Sequence, residues 1–392
     1  MSDALQAHVD GQRDVLARCV AQLAQRPGKR GWQRAVEREL LASLVRVVTA
    51  GWRQGWQPAE MVREIGRQFG PRHARMAIDA AAMEMRNYAR AAVDEQWQAQ
   101  LVGLGASTWW SSDDRYLEQW RGREQLSTEA AVTCALQVLF GLATLPRLGR
   151  VCPLPGTARQ GAQAPEAGRP GQQALGRARA LLAKAESAGL PDEAEVLTCR
   201  AQELLATRSM QDALLADQAP RAREAASGRR LFIDGPYELA KAGLLDVLAT
   251  VNRCRAVWHK NLGLSTVLGF PGDLDGVELL FGSLLVQADT AMLREGSGRD
   301  EVGSSRTRAF RQAFLAAYTQ RVGERLADAA AAAEHKAVAA APDGGLVPVL
   351  AARHRMVDEA AGRIFPELAR HGLGQARDRQ AWLPGLAAAY VA

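Results

Sequence analysis

The sequence predicts a mainly α, multi-domain protein with a small α+β domain in its C-terminal half. Three observations support this fold class. Apolar residues recur at three- and four-residue steps along most of the chain, which is the periodicity of amphipathic helices. Short runs rich in β-branched and aromatic residues occur between residues 230 and 270. A stretch rich in Pro and Gly around residue 160 separates the two halves.

These patterns divide the 392 residues into five predicted segments. They are an N-terminal helical domain (1–145), a Pro/Gly-rich linker (146–173), a helical hairpin (174–215), an α+β domain (228–330) and a C-terminal helical extension (331–392).

The N-terminal domain is predicted to be helical and rich in tryptophan. Leu40, Leu44 and Val48 form one amphipathic stripe, and seven of the nine tryptophans lie before residue 140. Tryptophans dispersed in this way are typical of core anchors between helices. Two alternatives remain open: stacking platforms for single-stranded nucleic acid, and an apolar patch that binds a protein partner.

The helical hairpin is predicted from its apolar spacing and from the residues of its turn. Leu175, Ala178, Leu182 and Ala185 share one face of a first helix, and Gly189 ends it. Pro191 opens a second helix, where its missing N–H has no cost. Two helices of this length bury too little apolar surface to be stable alone, so the hairpin must pack against another part of the chain.

The α+β domain is predicted from an alternation of short strands and helices. A strand at 230–233 precedes a helix opened by Pro236, and runs at 255–260 and 264–270 form a β-hairpin around Asn261-Leu262-Gly263. Asp273 is the predicted N-cap of the next helix. The order β-α-β-β-α-α predicts a small sheet packed on helices.

The hairpin sequence ARALLAKAESAGLPDEAEVLTCRAQELLA (178–206) resembles the bacterial and phage domain of unknown function 2786, over about residues 174–213. Its PxEAxxxxxKAQxL spacing carries the resemblance, with Arg200 where the pattern usually has lysine. The region of about 230–330 resembles the domain that usually follows it. The resemblance implies a modular arrangement and supplies no catalytic residues.

Composition narrows the class of protein. With 47% apolar and 23% charged residues, the chain is typical of a soluble globular protein. It has no apolar run of membrane-spanning length and no secretory signal pattern, so we expect a cytoplasmic protein with no membrane partner. The five cysteines form no CxxC pair, and the P-loop, HExxH and GxSxG motifs are absent, so we expect no metal or other cofactor.

The charge balance is compatible with nucleic-acid binding. The formal net charge is +6, and all but five of the 49 basic residues are arginine (the lysines are Lys29, Lys184, Lys241, Lys260 and Lys336). Arginine binds phosphates through two parallel hydrogen bonds and stacks on bases. A GC-rich genome is the alternative explanation of the same bias.

One candidate site consists of Glu278, His259 and Arg255. Glu278 lies within an apolar helical stripe, and a buried carboxylate needs a partner. Arg255 and His259 share one face of the neighbouring strand and are the candidate partners. The three are weak candidates for an acid/base or metal site of an enzyme. The alternative is a structural ion pair between helix and sheet.

The second candidate is an anion site at the start of the helix that follows residue 303. Arg306, Arg308 and Arg311 lie beside the free N–H groups of that helix start, an arrangement suited to a phosphate. Arg253 and Lys260 extend the patch if they fold onto the same side. Phe310 and Phe314 are assigned to the core.

These observations favour a non-catalytic binding protein that contacts nucleic acid or a nucleoprotein through arginines. The alternatives are an enzyme that uses the Glu278 site and a structural module that binds a protein partner through the Trp-rich N-terminal domain. The leading hypothesis requires that the cations of the C-terminal half converge on one surface.

Overall fold

A computed structural model describes residues 12–24, 31–157, 169–218, 225–296, 304–340 and 345–366. Within these ranges, the side chains of residues 13, 169–170, 295–296 and 304–309 lie outside the description. The chain separates into two compact units, Met1–Ala162 and Gln163–Ala392, which we call unit 1 and unit 2.

Unit 1 is helical throughout its described part. Its helices are α1 (Arg13–Ala24), α2 (Trp32–Arg53), α3 (Pro58–Phe69), α4 (Pro71–Met85), α5 (Glu95–Gly103), α6 (Tyr116–Glu124) and α7 (Thr128–Ala143). Short 3-10 turns at Arg90–Ala92 and Asp113–Arg115 connect some of them.

Tryptophans form the centre of unit 1. Trp52, Trp56, Trp97 and Trp120 are almost completely buried, and Trp52 packs edge-on against Trp97 with ring centroids 5.0 Å apart. These four are core anchors, so they cannot act as stacking platforms. Val102 is the one large apolar side chain that is exposed in the described part of this unit. The hypothesis of a protein partner for this domain stays a prediction.

The predicted linker begins later than residue 146. The Trp56 indole donates a hydrogen bond to the carbonyl of Pro146 at 2.7 Å, Val151 is buried, and the Gly156 amide donates to the carbonyl of Ala92. Residues 146–157 therefore pack onto unit 1, because this Pro-rich stretch carries apolar side chains that the core accepts. Residues 158–168 lie outside the described part, and the next helix already starts at Arg169.

Unit 2 combines six helices with one sheet in its described part. The elements are α8 (Arg169–Ser187), α9 (Pro191–Gln218), β1 (Ser227–Phe232), α10 (Glu238–Val251), β2 (Arg255–His259), β3 (Leu264–Gly269), α11 (Pro271–Gly296), α12 (Ser304–Ala340) and α13 (Leu346–Ile364). The predicted fold class, mainly α with a small α+β C-terminal domain, is confirmed.

The sheet is antiparallel, with strand order β1-β3-β2. The predicted β2–β3 hairpin is present, with Trp258 opposite Ser265 and His259 opposite Leu264. Gly263 adopts the left-handed conformation (φ 59°) that this turn requires. Val267 and its neighbours on one face pack into the core with α10 and α11, whereas the other face contacts α13.

The hairpin α8–α9 shares the core of the sheet. Ala178, Leu182, Ala201 and Leu205 belong to the same apolar cluster as Leu248. The expectation that the hairpin must pack against another part of the chain is therefore confirmed. The boundary between 174–215 and 228–330 does not separate two cores, and the boundary at 330 falls inside α12. The alanine-rich run continues the helix because alanine is the best helix former.

Two helix starts differ from their predictions. Helix α10 begins at Glu238 instead of Pro236, and Tyr237 before it has a positive φ of 68°. Helix α11 begins at Pro271, so Asp273 lies in its first turn and is not the N-cap. Proline fixes φ near its helical value and therefore starts the helix two residues earlier.

Helix α11 is long and apolar enough to cross a membrane by length and composition, as is the bent pair Asp113–Glu124 and Thr128–Ala143 taken together. Half of the apolar window of α11 is buried inside the protein. A mostly buried core helix of a soluble protein can also be this long and this apolar.

Candidate functional site

The structure does not bring Glu278, His259 and Arg255 together. The Glu278 side chain is 52% exposed, and its Oε2 accepts a hydrogen bond from Arg229 Nη1 at 2.5 Å. Arg255 Nε donates to Asp358 Oδ1 at 2.8 Å. The predicted three-residue site is therefore wrong. Glu278 follows the buried Val277 by one residue, a rotation of about 100° around the helix, which turns it out of the apolar stripe.

His259 lies in an environment that keeps it neutral. Burial, with a contribution from the charge of Arg230, lowers the pKa of His259 to about 4. Its Nε2 lies 2.9 Å from Oγ1 of Thr266, which has no exposed surface, and its ring packs against Phe365. No group of three His, Cys, Asp or Glu side chains within the described ranges could hold a metal ion. This arrangement supports a structural role for His259.

One of the cations expected to bind phosphate, Arg253, is neutralised by an acid, and so is Arg255 of the other candidate site. Arg253 Nη2 lies 3.1 Å from Glu334 Oε2, and Arg255 pairs with Asp358 as described above. The expected contribution of Arg253 to an anion surface is therefore wrong, because its charge is already compensated. Lys260 is exposed in the 3-10 turn Lys260–Leu262.

A charge network centred on Arg208 was missed from the sequence. Arg208 is 6% exposed, with Nε 3.4 Å from Asp212 Oδ2 and Nη2 3.4 Å from Asp275 Oδ2. Asp275 also pairs with Arg229 of β1 at 3.0 Å, so the network joins α9, α11 and the sheet. Only the i,i+4 spacing of Arg208 and Asp212 was visible as a signal in the sequence. With Glu278, which also pairs with Arg229, the network holds two arginines and three carboxylates, and it ties the hairpin to the sheet.

The start of α12 is the remaining cationic candidate. Arg306 and Arg308 lie in its first two turns, but their side chains fall outside the described residues. The Arg311 side chain is exposed and makes no ion pair with the described part of the chain. Phe310 is 46% exposed, so its assignment to the core is wrong. Phe310 and Arg311 therefore place an exposed aromatic ring and an exposed guanidinium at successive positions of this helix, about 100° apart around its axis.

Phe310 ends a row of aromatic rings that is anchored in unit 2. Its ring centroid lies 6.3 Å from that of Phe314, and Phe314 stacks on Tyr318 at 6.2 Å. Phe314 and Tyr318 pack against buried Met292 and Leu315. The row therefore positions Phe310 at the edge of the core with part of its ring accessible.

Comparison with known proteins adds no relative: no protein-family model, curated protein or solved structure matches this chain. The resemblance of the hairpin to the domain of unknown function 2786 stays a prediction.

The cysteines provide a prediction about chemical reactivity. All five are free thiols. Burial raises the pKa of Cys134 and of Cys152 to about 12 and raises that of Cys254 as well. Burial also raises the pKa of the partly buried Cys199. Because the thiolate is the reacting form, we expect native protein treated with iodoacetamide at pH 8 to be alkylated first at Cys19 and Cys199, ahead of Cys134, Cys152 and Cys254. Peptide mapping by mass spectrometry measures this, and equal labelling of all five would contradict it.

Proposed function

We propose that this protein binds single-stranded nucleic acid through the first turns of α12. In this proposal Phe310 stacks on a base, and Arg306, Arg308 and Arg311 contact phosphates. The observation that carries it is the exposed ring of Phe310 one residue before the exposed Arg311, which makes no ion pair with the described part of the chain.

Electrostatics support phosphate binding at this end of the helix. The first N–H groups of a helix have no intrahelical acceptor, and the helix dipole adds a partial positive charge there. Three arginines within six residues strengthen that field. Arg253 and Arg255, in contrast, are neutralised by Glu334 and Asp358, so they are left out of the proposal.

The aromatic ring favours a single strand over a duplex. A base inside a duplex is already stacked on its neighbours, whereas an unpaired base has a free face for an aromatic side chain. Phe310 offers such a face without sequence preference, because it makes no hydrogen bonds. The proposal is therefore binding with little sequence specificity.

Replacing the ring tests this proposal. Phe310→Ala is expected to weaken binding of a fluorescein-labelled single-stranded oligonucleotide by about 1–3 kcal/mol, the value of one stacked base. Fluorescence anisotropy at low salt measures the affinity. Leu293→Ala is the matched control, because Leu293 is a large apolar residue that is 68% exposed on α11. Equal affinities of Phe310→Ala and the unchanged protein would rule out the stacking role.

A second candidate function is protein binding at the same end of unit 2. Leu190 and Leu293 are each 68% exposed. Arg294, which follows Leu293, donates a hydrogen bond at 3.1 Å to the carbonyl of Gly189, which precedes Leu190, so the two leucines lie in the same region. Like Phe310, they are exposed large apolar side chains of the kind found at interfaces. In this case Leu293→Ala and Phe310→Ala would both weaken binding of the partner protein.

A further inference from the structure

Unit 1 contains a charged cavity that the proposed function does not use. It has a volume of about 500 Å³. The start of α2 forms one side, and the 3-10 turn Asp113–Arg115 together with α6 forms the other. Its lining includes Gln33, Arg34, Glu37, Asp114, Glu118 and Arg121. The volume is in the range of small-molecule sites.

Glu37 is the distinctive residue of this cavity. It is 7% exposed, and its one hydrogen bond comes from Gln33 Nε2 at 3.1 Å. It makes no ion pair with any residue that the structure describes. Burial raises the pKa of Glu37, and the charge of Glu118 adds to that effect, whereas the hydrogen bond from Gln33 and the more distant charges of Arg121 and Arg34 oppose it without cancelling it. A buried carboxylate without a cationic partner is costly, so a cationic group of a ligand would stabilise it.

The other acids of the cavity already have partners. Asp114 Oδ1 accepts a hydrogen bond from Arg38 Nε at 3.0 Å, and Glu118 Oε2 accepts one from Arg115 Nε at 3.0 Å. Among the acids of the lining, Glu37 is therefore the one that lacks a cation within ion-pair distance.

Two cations of the cavity have no carboxylate partner within the described ranges. Arg34 is exposed, and Arg121 donates its Nη1 hydrogen bond to the hydroxyl of Thr128 at 2.9 Å. Arg34 precedes Glu37 by three residues on α2, yet the two do not form an ion pair, although such pairs are common at this spacing. A carboxylate and two guanidinium groups thus line the same space without neutralising one another directly.

We propose that this cavity binds a small amphoteric molecule of the size of a short peptide. Its amine would bind Glu37, and its carboxylate would bind Arg34 and Arg121. The charges of Glu37 and of the two arginines have opposite signs. A ligand that carries both an amine and a carboxylate therefore makes two charge-assisted hydrogen-bond contacts, whereas a ligand with a single charged group makes only one such contact.

Three matched probes measure separately how much the amine and the carboxylate of the ligand contribute to binding. Triglycine carries both, triglycinamide keeps only the amine, and N-acetyltriglycine keeps only the carboxylate. Isothermal titration of the full chain is expected to show the tightest binding for triglycine, with about a tenfold or larger loss for each of the others, the effect of one charged hydrogen bond.

Two variants assign the charges to residues. Glu37→Gln should weaken triglycine and triglycinamide about tenfold or more and leave N-acetyltriglycine unchanged. Arg34→Gln should do the reverse: it should weaken triglycine and N-acetyltriglycine and spare triglycinamide. Arg34 is exposed, so this variant tests the proposal even if Glu37→Gln fails to fold.

Glu39→Gln is the control, because Glu39 is an exposed acid of α2 that pairs with Arg46 at 2.7 Å and does not line the cavity. It should leave all three affinities unchanged. Failure of triglycine to bind, equal binding of the three probes, or equal binding by Glu37→Gln and the unchanged protein would overturn the proposal. None of these outcomes depends on nucleic-acid binding by α12.

Discussion

Raising the pH from about 4 to about 8 is expected to remove about 2 kcal/mol of stability from unit 1 through Asp79 alone. Burial raises the pKa of this carboxyl from 3.8 to about 6, against the effect of two hydrogen bonds. The donors are Trp109 Nε1 at 2.9 Å and the Tyr116 hydroxyl at 3.0 Å. Asp79 thus anchors Trp109 and the first residue of α6 onto α4.

The sign of this effect follows from proton linkage. The native state binds the Asp79 proton more tightly than the unfolded chain does, because the native pKa is the higher one. The stabilising contribution is complete below pH 3.8 and is lost as the pH rises through 6. An asparagine at this position carries no charge at any pH, so Asp79→Asn removes the dependence.

The measurement is urea unfolding of the unchanged protein and of Asp79→Asn across this pH range, followed by tryptophan fluorescence. Most tryptophans lie in unit 1, so the signal reports on this unit. We expect the stability difference to shift in favour of the asparagine variant by about 2 kcal/mol between pH 4 and pH 8. The value at pH 4 is the internal control, since other titrating groups cancel in the difference. A difference that does not change with pH would contradict the account.

Removing the Arg208 side chain should strongly destabilise unit 2. We expect Arg208→Ala to lower the free energy of unfolding by about 3 kcal/mol, the lower end of the range for broken buried ion pairs. The lower end applies because the side chains of Asp212 and Asp275 are 36% and 32% exposed, so water partly solvates the carboxylates left behind.

Companion variants identify the cause of that loss. Arg208→Met with Asp212→Asn keeps most of the volume and removes one unpaired charge, so it should recover most of the stability. Arg200→Ala is the control, because Arg200 forms an exposed pair with Glu203 on the same helix and should cost less than about 1 kcal/mol. Urea unfolding followed by circular dichroism measures all three. A loss in Arg208→Ala no larger than that in Arg200→Ala would show that the network does not stabilise unit 2.

The helices and the β-hairpin could be predicted because their signals are local. The stripe at Leu40, Leu44 and Val48 is buried as expected, and Gly263 adopts the conformation that the turn needs. Periodicity does not show where the core ends. Phe310 continues an aromatic stripe with Phe314, but the helix extends past the core at that point and the ring is partly exposed.

The candidate sites were harder to predict because their contacts join distant parts of the chain. Arg255 binds Asp358, 103 residues away, and Arg253 binds Glu334, 81 residues away. No local pattern indicates which acid will neutralise a given arginine, since the choice depends on how α12 and α13 pack on the sheet. The same reason explains why the lone carboxylate of Glu37 was visible only in the structure.

The most direct test of nucleic-acid binding by α12 is the salt dependence of affinity for a single-stranded oligonucleotide. The variant Arg306→Gln/Arg308→Gln/Arg311→Gln is compared with the control Arg179→Gln/Arg355→Gln/Arg363→Gln, which removes three exposed arginines elsewhere in unit 2. Each phosphate contact contributes roughly 0.7 to the slope of log K against log salt, so the first variant should reduce the slope by about 2 and the control should leave it unchanged. Equal slopes for the unchanged protein and the first variant, or no binding at low salt, would contradict the account.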